Sequence, residues 1–418
     1  MNHQTLSVLF LTMVMLTAIQ SCSNPQKEDT SEQVKVYEKG TFGYDLDFLK
    51  KYYQDLILLE DGEAGIVVVP SLQGRVMTST ANGSGGQSFG WINYDYIAAG
   101  KLNHQFNPIG GEERFWVGPE GGQFSLYFDQ NTTFDFDNWR VPKEIDTEPF
   151  SLVSSDGKKA LFQKAMRLTN YSGTVFEFDV TRNINLLHKE EIEKLLGMPL
   201  SDAVKSVGFE SENTLTNKGD NNWDKTSGMP SIWILSMLIS SEQTWVIVPF
   251  RSGDDEALGK IVTDDYFGKV PSDRLVVKDS VLFFQADGLK RSKIGLSPQR
   301  SLPIAGSYDA KNGVLTIAQF TIPEDNTDYV NSAWEMQEKP FAGDVFNSYN
   351  DGPLADGNQL GPFYELESSS PAAALTPGES MTHFHRTYHF TGPKPHLDEI
   401  VSTLLNTNLA EVESQLAK

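Results

Sequence analysis

The sequence predicts an all-β fold, a sandwich or a barrel, and three observations support this prediction. Short apolar or alternating runs recur along the chain between Gly, Pro, Asp and Asn residues, which is typical of strands joined by turns. Helical spacing of apolar residues is limited to two segments, residues 188–196 and 395–416. Neither an internal repeat nor a Pro/Ser-rich linker divides the chain. We therefore predict one large domain, residues 37–394, followed by a C-terminal helix, residues 395–418.

The N-terminus has the features of an export signal. Residues 6–19 are an almost unbroken apolar run, too short to span a bilayer comfortably. The run is followed by Ser21 and Cys22, and Cys22 is the one cysteine of the 418 residues. A small residue before a cysteine resembles the bacterial lipoprotein signal, so we predict a leader, residues 1–21, lipidation at Cys22, and a flexible tether, residues 22–36. An ordinary cleaved leader with an incidental cysteine is the alternative.

Composition narrows the partners and the location. The net charge of −22 argues against nucleic acid, because binding to phosphate depends on Lys and Arg. The chain has no cysteine after Cys22, which excludes disulfides and thiolate metal sites. Later segments lack a run of 18 apolar residues, so we expect membrane contact through the lipid alone. We predict a monomer in the cell envelope, held at the outer membrane on its periplasmic face or at the cell surface.

Seven runs before the C-terminal region are predicted strands. Some are continuously apolar and others alternate, with Gly, Pro, Asp or Asn at their ends. They are residues 64–70, 123–128, 175–180, 231–239, 244–250, 280–285 and 315–320.

Residues 361–390 concentrate side chains that can transfer protons. They are Glu365, Glu367, His383, His385 and His389. The two glutamates are an even number of positions apart, and so are the three histidines. On a strand, the side chains of each set would therefore point from the same face of the sheet. A Pro-Gly pair at 377–378 predicts a turn that returns the chain antiparallel, with the carboxylates beside the imidazoles on one sheet. Such a surface suits proton transfer, sugar hydroxyls or a metal ion.

Residues 110–128 form a second candidate binding segment. Arg114 and Glu120 can hydrogen-bond sugar hydroxyls, and the face of Trp116 can stack on sugar C–H groups. Paired glycines at 110–111 and 121–122 would let the backbone approach a ligand closely. The alternative is a β-hairpin with a solvated acidic edge.

Three segments resemble the galactose-mutarotase-like (aldose 1-epimerase-like) superfamily, and within it a branch of exported bacterial lipoproteins. The segments are residues 64–77, 110–128 and 363–390, and the last carries Leu366-Glu367 followed by a Pro-Gly-Glu turn. This resemblance implies a supersandwich of two large antiparallel sheets, with a sugar in a groove on one of them.

The resemblance also implies roles for individual residues. Glu367 matches the glutamate that takes the proton from the anomeric hydroxyl in the family. The acid of the family is a mid-chain histidine, and the matching residues 228–233 contain none, so His383 or His385 would have to replace it. Arg114, Trp116, Glu120 and Glu365 would then bind the substrate.

Three hypotheses about function remain open at this point. The first is a lipid-anchored carbohydrate-binding protein that takes part in glycan uptake or processing. The second is an aldose 1-epimerase-like enzyme with Glu367 as base and His383 or His385 as acid. The third is a metal-dependent enzyme on the row His383, His385 and His389, with Glu365 or Glu367 as a further ligand. The first two need no cofactor.

Overall fold

The structure is a computed structural model that describes residues 35–354 and 357–416. One compact unit extends over Tyr37–Lys418. The predicted leader, the lipidation at Cys22 and all but the end of the tether lie outside the described residues. Within the described residues, none of the helices is long and apolar enough to cross a membrane.

Two large antiparallel sheets dominate the structure, with 37% strand against 14% helix, which confirms the predicted fold class. The larger sheet has ten strands in the spatial order β12 (Leu275–Lys278), β13 (Val281–Gln285), β11 (Thr244–Pro249), β15 (Ile304–Asp309), β16 (Val314–Phe320), β19 (Ser380–Thr391), β8 (Lys205–Asn217), β7 (Val175–Leu186), β6 (Lys159–Thr169) and β5 (Ser151–Ser155).

The second large sheet has six strands. Five follow the order β14 (Ser292–Leu296), β17 (Phe346–Asn350), β18 (Phe363–Ser369), β9 (Ser231–Leu235) and β4 (Arg114–Gly118), and β10 (Leu238–Ile239) pairs with β18. A small third sheet joins β1 (Ile57–Asp61), β2 (Ala64–Val69) and β3 (Arg75–Thr80).

The helices are short; one precedes the first strand and the others lie between or after the strands. They are α1 (Phe42–Tyr52), α2 (Tyr94–Ala99), α3 (Lys143–Asp146), α4 (Lys189–Leu196), α5 (Asp255–Leu258), α6 (Lys394–Leu404) and α7 (Leu409–Glu413), with a 3-10 turn at Pro70–Leu72. The helix predicted at 188–196 is confirmed. The predicted C-terminal helix is also confirmed. It is interrupted after α6, because the side chain of Asn408 accepts a hydrogen bond from Glu411 N and starts a new helix.

The two large sheets pack face to face around an apolar core. Phe320 of β16 stacks on Phe346 of β17 with 5.7 Å between ring centroids, and Ser307 Oγ lies 2.7 Å from the hydroxyl of Tyr364 on β18. The opposite face of the ten-stranded sheet is covered by helices, since Ile400 of α6 clusters with Ile317 of β16. The opposite face of the six-stranded sheet is covered by loops and holds the candidate site.

Two local predictions are wrong. Residues 123–128 alternate in sequence but form turns, because Leu126 N donates to Pro119 O at 3.1 Å within the same loop. The turn at 377–378 is present, yet it does not make a hairpin. Strand β18 lies in the six-stranded sheet and β19 in the ten-stranded sheet, because the chain between them crosses from one sheet to the other.

Candidate functional site

The floor of the candidate site is the loop-covered face of the six-stranded sheet. Side chains alternate between the two faces of a strand, and the register places Trp116 opposite Trp233 and Glu367 opposite Asn347. The side chains on this face are those of Arg114, Trp116, Trp233, Lys293, Asn347, Tyr349, Glu365 and Glu367.

Glu365 is held by a buried arginine. Arg114 Nη2 donates to Glu365 Oε1 at 2.8 Å, and the guanidinium lies 4.6 Å from the ring centroid of Trp116. Burial raises the pKa of Glu365 to about 8, with Arg114 opposing this shift and Glu367 adding to it. The pKa of Glu365 is thus shifted toward the range in which the carboxyl group can act as a proton donor.

Glu367 is fixed through one oxygen and free at the other. Its Oε2 accepts from Trp233 Nε1 and from Lys293 Nζ, both at 2.9 Å. Its Oε1 is buried and has no hydrogen-bond partner among the described residues. Burial lowers the pKa of Lys293, but the facing carboxylates of Glu367 and Glu120 outweigh burial and the pKa is raised, so the ammonium stays charged.

Four half-buried side chains from strands and loops form the mouth of the site. They are Glu120, Tyr266, Lys293 and Trp334. The hydroxyl of Tyr266 donates to Asp344 and accepts from Asn347 Nδ2 at 3.1 Å. Burial raises the pKa of Glu120, and the ammonium of Lys293 opposes the shift. The mouth thus brings a third carboxyl group close to Glu365 and Glu367 on the floor.

Several buried polar atoms on the floor lack a protein partner among the described residues. They are Arg114 Nε and Nη1, Trp116 Nε1 and Glu367 Oε1. Buried polar groups in native proteins nearly always form hydrogen bonds, and here the guanidinium of Arg114 lies over the indole ring of Trp116. These atoms are the candidates for contacts to a polar ligand that also has an apolar face.

The C-terminal histidines lie on the other side of β18. His383 Nε2 and His385 Nδ1 are each 2.8 Å from Ser368 Oγ, between the two sheets. Burial lowers the pKa of both imidazoles to about 3, so both are neutral. The even spacing does place the histidines on one face, but that face and Glu367 are separated by the strand. The expected surface of carboxylates and imidazoles on one sheet is therefore wrong.

His389 belongs to a different contact set. Its Nε2 lies 2.7 Å from Glu112 Oε1 and its Nδ1 lies 2.9 Å from Thr316 Oγ1. The ring stacks on Phe89 with 4.3 Å between centroids. Across the described residues, no group of three or more His, Cys, Asp or Glu side chains is arranged to hold a metal ion, so the histidine row lacks the third ligand that the metal hypothesis needs.

The paired glycines serve packing within the protein. A Cβ on Gly121 would lie 2.3 Å from Ala333 O, and one on Gly122 would lie 2.5 Å from Gln337 Cδ. The backbone at these glycines therefore approaches another loop closely. The interpretation that they approach a ligand is wrong, although Glu120 beside them does lie at the mouth.

The model of the DUF6786 family matches residues 40–416. The chain belongs to this family of unknown function. A comparison with proteins of curated function finds no match.

Solved structures similar to this DUF6786 chain include a candidate aldose 1-epimerase from Escherichia coli K12, with 13% identity, coverage of 81% of this chain and 99% of that chain, and a TM-score of 0.48. A galactose mutarotase-like protein from Lactobacillus casei ATCC 334 has 9% identity, coverage of 80% and 99%, and a TM-score of 0.45. These proteins are of the superfamily that the sequence resembles. At such identities and scores the likeness carries no statement about ligand or reaction.

Sequence reasoning missed several residues of the site in this DUF6786 protein. Trp233 and Lys293 are large or charged side chains at alternate positions of otherwise apolar strands, and that pattern was the available signal. Tyr266 and Trp334 come from loops, and their positions depend on contacts distant in sequence. Arg114 and Trp116 lie on the floor together with Glu365 and Glu367, as the even spacing within each strand predicts.

Proposed function

We propose that this protein binds a carbohydrate in the groove on the loop-covered face of its six-stranded sheet. The observation that carries the proposal is the pair Glu365 and Glu367, two buried carboxyl groups on one face of β18, beside buried polar atoms that have no partner among the described residues. The indole faces of Trp116 and Trp233 suit the C–H surface of a sugar ring. Arg114 and Glu367 suit its hydroxyl groups.

A second candidate function is aldose 1-epimerase activity, and the same pair favours it. The reaction needs a base at the anomeric hydroxyl and an acid at the ring oxygen. Glu367 would take the proton from the anomeric hydroxyl while Glu365 gives its proton to the ring oxygen. The bond from the anomeric carbon to the ring oxygen then breaks and the carbonyl forms. Closure on the other face returns both protons.

Glu365 takes the place of the histidine acid in this scheme. Burial raises the pKa of Glu365, and a carboxyl group with a raised pKa can serve as a general acid beside a second carboxyl group that serves as base. His383 and His385 stay neutral between the two sheets, where each contacts Ser368 on the inner side of β18. The proposal therefore keeps Glu367 as base and moves the acid from the C-terminal histidines to its neighbour on the strand.

The cellular setting is part of the proposal. The apolar leader and Cys22 support a lipid-anchored protein of the cell envelope. A sugar-binding protein in that place would capture products of glycan breakdown for uptake or processing.

The test is anomer exchange followed by NMR. Freshly dissolved α-glucose, α-galactose and α-galacturonic acid are mixed with the purified full chain, and with the variants Glu365→Gln and Glu367→Gln. Glu379→Gln is the matched control, because Glu379 is exposed on the turn before β19. Faster exchange that both groove variants abolish supports the epimerase. Binding without faster exchange supports the binding protein alone, and a wild-type chain that does neither contradicts the proposal.

A further inference from the structure

A cavity that shares no residue with the floor of the candidate site lies elsewhere in the protein. Its volume is about 320 Å³. It forms where the loop after β3 meets the turn between β15 and β16 and the end of β19. The lining residues are Ala81, Asn82, Gln87, Phe89, Asn312, Gly313, Thr391 and Gly392.

The wall of this cavity is polar and uncharged. Three carboxamides line it, those of Asn82, Gln87 and Asn312, together with the hydroxyl of Thr391. A carboxamide both donates and accepts hydrogen bonds, as a sugar hydroxyl does. The lining includes neither a cation for a phosphate or carboxylate nor a carboxylate for an amine. This chemistry selects a neutral ligand with several hydroxyl groups.

The floor of the cavity is held in place from below. Phe89 is buried and stacks on His389, whose two ring nitrogens are both engaged by neighbouring side chains. Gln87 and Phe89 also line a smaller neighbouring pocket, together with Thr316, Tyr364 and His389. A floor that is already ordered lowers the entropic cost of binding.

One wall is oriented by a hydrogen-bonded turn. Asn312 Nδ2 donates to Asp309 Oδ2 at 2.6 Å, and Asn312 N donates to Asp309 Oδ1 at 3.2 Å. Asp309 also accepts from Ser241 Oγ at 2.6 Å. The carboxamide of Asn312 is thus held in place by contacts inside the protein, and its oxygen forms no hydrogen bond within these contacts.

We propose that this cavity is a second binding site for neutral carbohydrate, which takes one or two sugar units of a glycan chain. Its volume lies at the lower end of the range for small-molecule sites, roughly 300–1,000 Å³, which excludes a long oligosaccharide as a fully enclosed ligand. A site of this kind holds a chain end independently of any chemistry in the groove. With both sites occupied, the protein would bind one glycan at two points along its chain.

The test uses full-length protein carrying Glu367→Gln, which disables the groove, and saturation-transfer NMR with maltohexaose, cellohexaose and tri-galacturonic acid as probes. We expect one of the neutral probes to bind and the charged probe not to bind. Asn312→Ala together with Gln87→Ala should weaken that binding at least tenfold, since each loses hydrogen bonds to hydroxyl groups.

A blocking variant keeps the test decisive if the double alanine variant folds poorly. Asn82 is exposed at the rim of the cavity, so the indole of Asn82→Trp would fill the cavity without displacing core residues. We expect this variant to lose the binding of the neutral probe and to keep the melting temperature of the parent protein. Binding that survives Asn82→Trp overturns the proposal, and so does the absence of neutral-probe binding in the Glu367→Gln background. Loss of groove binding alone leaves the cavity proposal intact, because Glu367 lies outside the cavity.

Discussion

Ser368 Oγ lies 2.8 Å from His383 Nε2 inside the sandwich, although the residue before it, Glu367, points out of the opposite face of the same strand. Strand β18 therefore separates two kinds of buried polar chemistry. On the inner side, Ser368 ties the two sheets together through neutral imidazoles. On the outer side, charged groups lie on the floor of the candidate site. Substitutions on the two sides should have different consequences, because one set supports the fold and the other contacts the ligand.

The buried histidines should make the protein sensitive to acid. Burial lowers the pKa of His383 and His385 to about 3, whereas an unfolded histidine has a pKa of about 6.5. Between these values the unfolded chain binds more protons, so stability falls as pH falls through this range. The double variant His383→Gln/His385→Asn keeps amide groups within reach of Ser368 and should flatten this loss by up to about 1.4 kcal/mol per pH unit for each histidine.

Urea unfolding at pH 7, 6 and 5 measures this effect. His104→Gln is the control, because His104 is exposed on a loop and should keep the slope of the wild type. An unchanged slope in the double variant would contradict the neutral, buried state of the pair.

Removing one partner of the ion pair between Lys293 and Glu367 should lower the stability of the protein. The side chains are 12% and 1% exposed, so Lys293→Met leaves a buried carboxylate without its ammonium. We expect a loss of ~3–5 kcal/mol in the free energy of unfolding, and a partial recovery in Lys293→Met/Glu367→Gln. Chemical unfolding of the four proteins gives the coupling energy.

An exposed ion pair supplies the comparison for that cycle. Lys205 and Glu63 are joined at 2.6 Å, but their side chains are 51% and 59% exposed, so solvent screens the interaction. The same cycle there should give less than about 1 kcal/mol. Additive effects of the two groove substitutions would show that the buried charges are not coupled.

Gly295 should control the shape of the groove mouth. A Cβ on this glycine would lie 2.1 Å from Asp344 Oδ2 and 2.6 Å from Asn347 Nδ2, so Gly295→Ala must displace the groups that hold Tyr266. We expect sugar binding to weaken by about tenfold or more, because the displaced groups, Asp344 and Asn347, form the hydrogen bonds that hold the hydroxyl of Tyr266. Titration calorimetry and thermal melting measure affinity and stability separately.

Gly85→Ala is the matched control for that substitution. A Cβ at Gly85 meets no heavy atom within 4 Å among the described residues, so affinity and melting temperature should both stay at wild-type values. Equal affinity in Gly295→Ala and Gly85→Ala would mean that the mouth does not shape the ligand site.

The epimerase scheme predicts a fall in rate in alkaline solution. Glu365, with its pKa raised to about 8, holds its proton below that pH and loses it above. The catalysed anomer exchange should therefore drop by about tenfold per pH unit above pH 8, after subtraction of the base-catalysed background. Glu365→Gln cannot titrate and should show low exchange at every pH. A wild-type rate that stays level to pH 9.5 would exclude Glu365 as the acid.

Local spacing predicted the features that depend on one strand at a time. The alternation around Glu365 and Glu367 places both carboxyl groups on one face, and the same rule places Arg114 with Trp116. The partner of a strand depends instead on contacts distant in sequence. A turn before His383 therefore suggested a hairpin, whereas the chain crosses to the other sheet there. The loop at 123–128 shows the same limit, because side chains that alternate can pack from turns as well as from strands.

The hydrogen bond from Arg114 to Glu365 joins residues 251 positions apart, and this separation bears on how the protein is made. While the chain is being synthesised, the strand that carries Arg114 leaves the ribosome long before the carboxyl group that it needs. Pairings of such long range slow the folding of β proteins, and partly folded chains expose apolar surface and strand edges. A chain that ends before β18 would have Arg114 and Lys293 but not the carboxyl groups of Glu365 and Glu367. We expect such a chain to stay partly unfolded and to be bound by chaperones or degraded by proteases. The candidate site would therefore form only in chains that include β18.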